Sequence, residues 1–419
     1  MKNVLLLQGP IGPFFRDFAL FLTKRELNVY RIHFNGGDAL YQGEGENYAY
    51  LGAPEAWPRY LSHFLKQHQI DALFCYGDCR YYHKQARTIC TRLSIPFWVF
   101  EEGYLRPDFV SLELGGTNAN SPWFNQRHNL HWLTPQEEDI SVVTPVGPTF
   151  TRRIYHAMRY YLAMEMQKKR FRNYRHHRPH TFLAEAINWL NSGWVKIRCQ
   201  VRDTWLMQTM NEYQGRIFLV PLQVAEDFQI REHSPFADVQ AFIRQVIISF
   251  AHHAPTDQIL LFKHHPMDRG HINYYRLIVS LSKQLGIGDR VFYGHELPLP
   301  PLYPLCRGLV TINSTVGISA LLKGVPTLNL GQALYDIPGL TSQCSLDEFW
   351  RHPTPVNRQL FGQFRQFLLH YGQINGSFYR ETAYTCSAIW RYIQQGRVSE
   401  PQPSYLCATP HKLRNQAPQ

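Results

Sequence analysis

Nowhere in the 419 residues is there a run approaching the roughly 18 consecutive apolar residues of a membrane-spanning helix. The start, MKNVLLLQGPIG, has one lysine and a short apolar run, too little for a signal-peptide core. The chain therefore reads as cytosolic or peripheral, with any membrane contact made at its surface. Cysteine is sparse and scattered: of eight, only Cys75 and Cys79 are close, and no zinc spacing or disulfide framework appears. Buried or incidental thiols in a reducing cytoplasm are the expectation. GxGxxG and GxSxG are both missing, and there is no short-period repeat. No DxD-like metal motif stands in a convincing place, since Asp17 and Asp78 are isolated.

What is present suits a folded protein. Apolar residues make up 44% and aromatics 14%, which argues against disorder. The length allows two or three domains. The formal net charge of +11 points to an anionic partner. Nucleic acid, anionic lipid and a sugar nucleotide all qualify on charge alone.

Short apolar runs alternate with helical periodicity. Val4–Leu7, Val29–Phe34, Ala72–Tyr76 and Phe97–Phe100 read as strands, with helices over Glu55–Gln67 and Tyr81–Leu93. From Gly215 the pattern resumes, with strands at Ile217–Pro221, Ile259–Phe262, Val291–Tyr293, Leu309–Ile312 and Thr327–Leu330. Alternation at this pace predicts an α/β fold built on parallel sheets. Mostly helical sequence follows about Leu346.

Thr151–His180 differs in character. Nine Lys or Arg residues, among them Arg152, Arg153, Arg159, Lys168, Lys169 and Arg170, face a single acid, Glu165. Apolar residues interleave with them, so a basic amphipathic helix able to lie on an anionic membrane is expected. The plainer alternative is a solvated helix joining two domains. No nucleic-acid-binding module accompanies the charge.

In open α/β sheets, ligands bind beyond the carboxyl ends of the strands. Four strand ends carry chemistry. Ile259–Phe262 runs into Lys263, His264, His265 and Pro266, an ammonium and two imidazoles able to hold a phosphate. A protonated imidazole would favour the phosphate charge and the leaving group. Asn313, Ser314 and Thr315 are expected to cap a helix through Lys323, combining hydroxyls with free N–H groups. Glu101 and Glu102 follow Phe97–Phe100, and alternation along an extended chain aims only one of them at a cleft. Adjacent carboxylates can hold separated pKa values. Gly9 and Gly12, after the first strand, permit turns and close ligand approach.

Five stretches, in order, resemble the bacterial capsule polysaccharide KpsS/LipB proteins, retaining β-Kdo glycosyltransferases related to KpsC. They are Gln8–Phe15 (QGPIGPFF), Glu101–Glu113 (EEGYLRPDFVSLE), Val220–Ile230 (VPLQVAEDFQI), Lys263–Gly270 (KHHPMDRG) and Thr311–Thr327 (TINSTVGISALLKGVPT). The resemblance implies a GT-B-like arrangement of two Rossmann-like parallel-sheet domains with an intervening cleft and C-terminal helices. The domains would be 1–205 for the acceptor, with a basic helical segment over 150–205, and 206–370 for the donor. A C-terminal helix over 371–400 and a flexible tail over 401–419 would follow.

The implied donor is CMP-β-Kdo and the implied acceptor (lyso)phosphatidylglycerol, starting the poly-Kdo linker of a capsular glycolipid without cofactor or metal. Glu102-Gly103 matches an acidic-Gly motif in which relatives more often have Asp, making Glu102 the expected catalytic carboxylate, assisted by Glu101 and Arg106. His265-Pro266 and Ser314-Thr315 match the donor-phosphate motifs, with Lys263, His264 and Asn313 beside them. Gln8, Gly9, Gly12 and Gln223 belong to the same stretches and are placed in the rest of the cleft. The cytoplasmic face of an anionic inner membrane is the expected location, with a KpsC-type transferase and capsule export machinery as candidate partners, and no nucleic acid. A non-catalytic export or scaffold protein, or a transferase using another nucleotide sugar, are the alternatives.

Overall fold

The computed structural model describes residues 1–124, 127, 143–175, 182–225, 230 and 233–396. Arg178, residues 226–229 of the Val220–Ile230 stretch, and the tail from 401 lie outside them.

The first half is built on β1 (Asn3–Leu6), β2 (Asn28–His33), β3 (Glu46–Ala49), β4 (Ala72–Tyr76), β5 (Phe97–Glu102) and β6 (Phe109–Leu114). Helices α1 (Phe14–Thr23), α2 (Gly36–Leu40), α3 (Trp57–Gln67) and α4 (Tyr81–Arg92) connect them. Then come the long helices α5 (Phe150–Met166) and α6 (Phe182–Asn211). The second half has β7 (Ile217–Pro221), α7 (Val239–His253), β8 (Ile259–Lys263), α8 (Tyr275–Gln284), β9 (Val291–Gly294), β10 (Cys306–Thr311), α9 (Val316–Leu322) and β11 (Thr327–Asn329). The chain ends in α10 (Arg358–His370), β12 (Gln373–Asn375) and α11 (Thr382–Gln394).

The strands are apolar throughout because both faces of each sheet are covered. Along β1, Val4 and Leu6 face one core cluster with Phe14 and Phe18, while Leu5 and Leu7 face another with Trp57 and Leu61. In β8, Leu260 and Phe262 point one way and Leu261 the other. Burying each such side chain contributes about 1.5–3 kcal/mol.

Both sheets share one winding order. The first runs β12-β6-β5-β4-β1-β2-β3 and the second β11-β10-β7-β8-β9. Taken from the third strand of each half, both read third, second, first, fourth, fifth, all parallel. Each half therefore has a switch point between its first and fourth strands, where the connections diverge and a crevice opens. This is the α/β architecture expected from the strand spacing.

Two elements depart from that expectation. The stretch after Glu102 does not feed a helix: β6 folds back antiparallel on β5, pairing Glu102 with Val110. Then β12, from the segment expected to be mostly helical, pairs antiparallel with β6. Helix α11 continues onto the first half, with Cys386 and Ile389 in the core beside Phe14. The C-terminal segment is thus part of the first half's architecture.

Candidate functional site

Strand β5 delivers Glu101 and Glu102 at its carboxyl end, and alternation sends their side chains to different surroundings. Glu102 lies 3.2 Å from Arg153 of α5. Glu101 accepts the backbone N–H of Glu102 at 3.1 Å. Burial pushes the Glu101 carboxyl up to about 7, the neighbouring Glu102 charge adding to it. Burial also raises Tyr76 and Tyr379, whose ionisation both glutamates oppose. The result is one carboxylate held against a guanidinium beside a carboxyl that exchanges its proton near neutral pH.

The turn after Glu102 is held tightly. A Cβ on Gly103 would stand 2.3 Å from the Phe109 carbonyl oxygen, so only glycine lets β6 close against β5 there. Gln373 of β12 then accepts the N–H of Tyr104 at 2.7 Å. The Tyr104 hydroxyl donates to Glu113 at 2.8 Å, and Ser121 donates to the other oxygen at 2.5 Å. Glu113 is buried and pushed up to about 7 by desolvation. It lies within the Glu101–Glu113 stretch as a tether of this turn, a role local patterning does not reveal. Arg106 is exposed, and its Nε donates to the Gly103 carbonyl at 3.2 Å.

Across the cleft, His265 accepts the Met267 N–H on Nδ1 at 3.1 Å, which leaves its Nε2 carrying the proton. Desolvation, followed by the charges of Lys263, Arg106 and Arg153, pushes His265 down to about 3. Two of those cations belong to the first half, so the imidazole faces them. Of the two forms weighed from the sequence, burial and three nearby cations favour the neutral imidazole. It remains a good donor to a phosphate through Nε2–H.

His264 and Lys263 are engaged inside the second half. His264 is buried, hydrogen-bonded to the Tyr293 hydroxyl at 2.7 Å and packed against His295, so it belongs to the core of the second half. Lys263 is buried, donates to the His264 carbonyl at 3.4 Å, and feels Glu296 and Asp203. Desolvation lowers its pKa. Its ammonium serves an internal charge network that includes the Arg269–Glu296 pair at 2.8 Å. Pro266 starts the single turn that follows His265.

The second half's switch point carries the other group. Gln223, after β7, and Asn313, after β10, clasp each other: Gln223 Nε2 donates to Asn313 Oδ1 at 2.9 Å, and the Asn313 N–H donates back to Gln223 Oε1 at 3.1 Å. The expected helical cap is shorter than read. Helix α9 starts only at Val316, Thr315 makes no side-chain cap, and Ser314 Oγ accepts the Val316 N–H at 3.2 Å. The Ser314 hydroxyl hydrogen is left to donate elsewhere. Asn313 and Thr315 line a small pocket with Tyr104 and Asn118 of the first half. The structure thus pairs Glu102 with Arg153, sets His265 within the charge of Arg153 and Arg106, and lines one small pocket with Asn313, Thr315 and Tyr104.

At the first half's switch point the groups have internal partners. Gln8 is buried, donating to Asp38 at 2.9 Å and to the Tyr174 hydroxyl at 3.1 Å. A Cβ on Gly9 would strike the Phe15 ring at 2.6 Å, so that glycine answers to packing rather than to ligand approach. Gly12 has φ +136°, a conformation other residues rarely adopt. The basic residues assigned to a membrane contact, Arg152, Arg153, Arg159, Lys168, Lys169 and Arg170, are all exposed, and Arg153 is also paired with Glu102. Among the described residues no group of three or more His, Cys, Asp or Glu could hold a metal ion, and no helix is long and apolar enough to cross a membrane.

Comparison with known proteins decides the family. Residues 71–379 match the family described as capsule polysaccharide biosynthesis protein. The chain belongs to that family. It is 42% identical over 384 residues to the capsule polysaccharide export protein KpsS of Escherichia coli, covering 90% of this chain and 97% of that protein. It is 38% identical over 386 residues to the capsule polysaccharide modification protein LipB of Neisseria meningitidis serogroup B, covering 91% of this chain and 92% of that protein. These are the relatives that the five stretches point to. Among solved structures, the KpsC β-Kdo 2,4 transferase of Thermosulfurimonas dismutans aligns over 78% of this chain and 83% of its own, at 13% identity and a TM-score of 0.37. Agreement that low adds nothing to the fold assignment, which rests on the two sheets. Within the capsule family, the matched segment contains the Glu102 turn, the His265 turn, Gln223 and Asn313–Thr315, and it extends through Tyr379.

Proposed function

We propose that the chain is a glycosyltransferase that moves Kdo, with retention, from CMP-β-Kdo to a (lyso)phosphatidylglycerol acceptor at the cytoplasmic face of the inner membrane, beginning the poly-Kdo linker of a capsular glycolipid. One observation carries it: a carboxylate of one half pairs with Arg153 at 3.2 Å, and the imidazole of the other half feels the charge of that same guanidinium. A glycosyl donor needs that combination. A carboxylate meets the anomeric carbon, while N–H and cationic groups take up the charge of the departing phosphate.

In this scheme the Glu102 carboxylate attacks the anomeric carbon of Kdo, and CMP leaves with the bonding electrons of the carbon–oxygen bond. His265 Nε2–H, Ser314 and Thr315 donate to its phosphate, with Arg106 and Arg153 close by. The acceptor hydroxyl then attacks the same carbon, expels the Glu102 carboxylate and passes its proton to Glu101. Two inversions give retention. A carboxyl near pKa 7 suits that last transfer at cytoplasmic pH. KpsC-type transferases and the export machinery are the proposed partners for the product.

The test is incubation of the purified protein with CMP-Kdo and fluorescent lysophosphatidylglycerol, read by product mass. A product heavier by one Kdo residue is expected. No adduct under continuous CMP-Kdo supply rules the transfer out and leaves the export reading that the name of the KpsS relative suggests.

A further inference from the structure

Large apolar side chains open to solvent are concentrated on two consecutive helices. Tyr155, Met158, Leu162 and Met166 recur along α5 at three- and four-residue steps, which places them on one stripe. Ile197, Val201 and Trp205 do the same along α6. Met166 is 77% exposed and Trp205 69%, values well outside what a packed side chain shows.

Neither helix is loose. On its other face α5 buries Tyr160 and Tyr161, and the Tyr160 hydroxyl donates to Asp38 of α2 at 2.8 Å. Helix α6 is held by Asp203, which is buried and accepts the N–H groups of His295 and Glu296, each at 2.6 Å. The two helices touch one another. Their apolar stripes are therefore fixed outward by the fold.

The charge beside the stripes has one sign. Arg152, Arg159, Lys169 and Arg170 are exposed along and just beyond α5, and its only acid, Glu165, is matched by Lys168 at 3.2 Å. On α6, Lys196, Arg198 and Arg202 flank Ile197 and Val201, and Asp203 is turned inward. A second copy packed face to face would set cation against cation. A nucleic acid would use the cations and leave the apolar stripes in water. An anionic bilayer uses both, the apolar side chains entering the acyl boundary while the Lys and Arg heads reach lipid phosphates.

We infer that the outer faces of α5 and α6 form one docking surface for an anionic lipid bilayer. Because Arg153 on the first turns of α5 reaches Glu102, the surface brings the carboxylate to the lipid. The inference deepens the lipid-acceptor reading by naming the surface that meets the membrane. Its test uses no nucleotide sugar, so a failed transfer assay leaves it standing.

The experiment is flotation of the full chain with vesicles of phosphatidylcholine alone or mixed with phosphatidylglycerol. The native protein floats with the mixed vesicles and not with phosphatidylcholine. Two sets of replacements, Met158→Glu with Leu162→Glu and Met166→Glu, and Ile197→Glu with Val201→Glu and Trp205→Glu, each lower the floated fraction about tenfold or more. These positions are exposed, so circular dichroism and melting stay native. Should an acidic set unfold the chain, the charge-only set Arg159→Gln, Lys169→Gln and Arg170→Gln must still lower flotation. The inference is overturned if either folded acidic set floats like the native protein or if the native protein floats equally on phosphatidylcholine. Sedimentation showing a native dimer that these sets dissolve would assign the face to a second copy, and also overturn it.

Discussion

Arg153 reaches from α5 to within 3.2 Å of the Glu102 carboxylate on β5, and its charge also depresses the basicity of His265 in the other half. One guanidinium thus serves the carboxylate and the imidazole together. Arg153→Met is expected to lower Kdo transfer about a hundredfold, the scale of losing one preorganised electrostatic group. Vesicle flotation should hardly change. If transfer survives while flotation drops, Arg153 is a lipid contact after all.

As the base of the proposed transfer, Glu101 would set the reaction's pH dependence. Its carboxyl is pushed up to about 7 by burial, and as a base it acts only when ionised. Transfer should therefore fall as pH drops below about 7, in proportion to the protonated fraction. In Glu101→Gln the rate should be low and flat across that range. The pH profile of kcat/KM checks this, and an unchanged profile in the variant would remove Glu101 from the proton transfer.

Gly103→Ala tests the turn that aims Glu102. The added methyl would meet the Phe109 carbonyl at 2.3 Å, forcing β5 and β6 apart. A loss of about 1–3 kcal/mol is expected from such overpacking, read as a lower urea midpoint, together with loss of transfer. Native stability and native activity in this variant would contradict the described hairpin.

Acid stability follows from the buried imidazoles. His83, His264 and His265 are pushed down to about 3 and His295 to about 4, in each case first by desolvation. Unfolded, these groups protonate near pH 6.5; folded, they resist it, so their stabilisation is present above 6.5 and is lost as pH falls toward 3. Glu101 and Glu113 act oppositely. Their folded values near 7 lie above the ordinary 4.5, so the folded chain gains protons between those limits. Four imidazoles outweigh two carboxyls, and the urea midpoint should be lower at about pH 5 than at about pH 7.5. A midpoint that holds or rises would contradict this balance.

The parallel strands were legible because burial on both faces leaves continuous apolar runs such as Ile259–Phe262. Glu102, His265 and Asn313–Thr315 stood out in the sequence because they terminate such runs. The β5–β6 hairpin was not, since its specification lies in a carbonyl 2.3 Å from where a Gly103 Cβ would stand and in Gln373, far along the chain. Gln8 and Lys263 looked like ligand groups because their partners, Asp38 with Tyr174 and Glu296 with Asp203, come from elements whose approach no local pattern encodes. The same holds for Arg153, one cation among many until α5 is docked on α2.

The closing of β12 on β6 has a bearing on biosynthesis. Strand β6 and the turn bearing Glu102 are made well before their neighbour at Gln373–Asn375 and Tyr379 beside Arg153, since Gln373 follows Tyr104 by 269 positions. Until then β6 is an open edge and Tyr104 has no Gln373 to fix it. The turn that carries Glu102 is therefore completed only when β12 arrives, and a chain cut short before these residues lacks that hold.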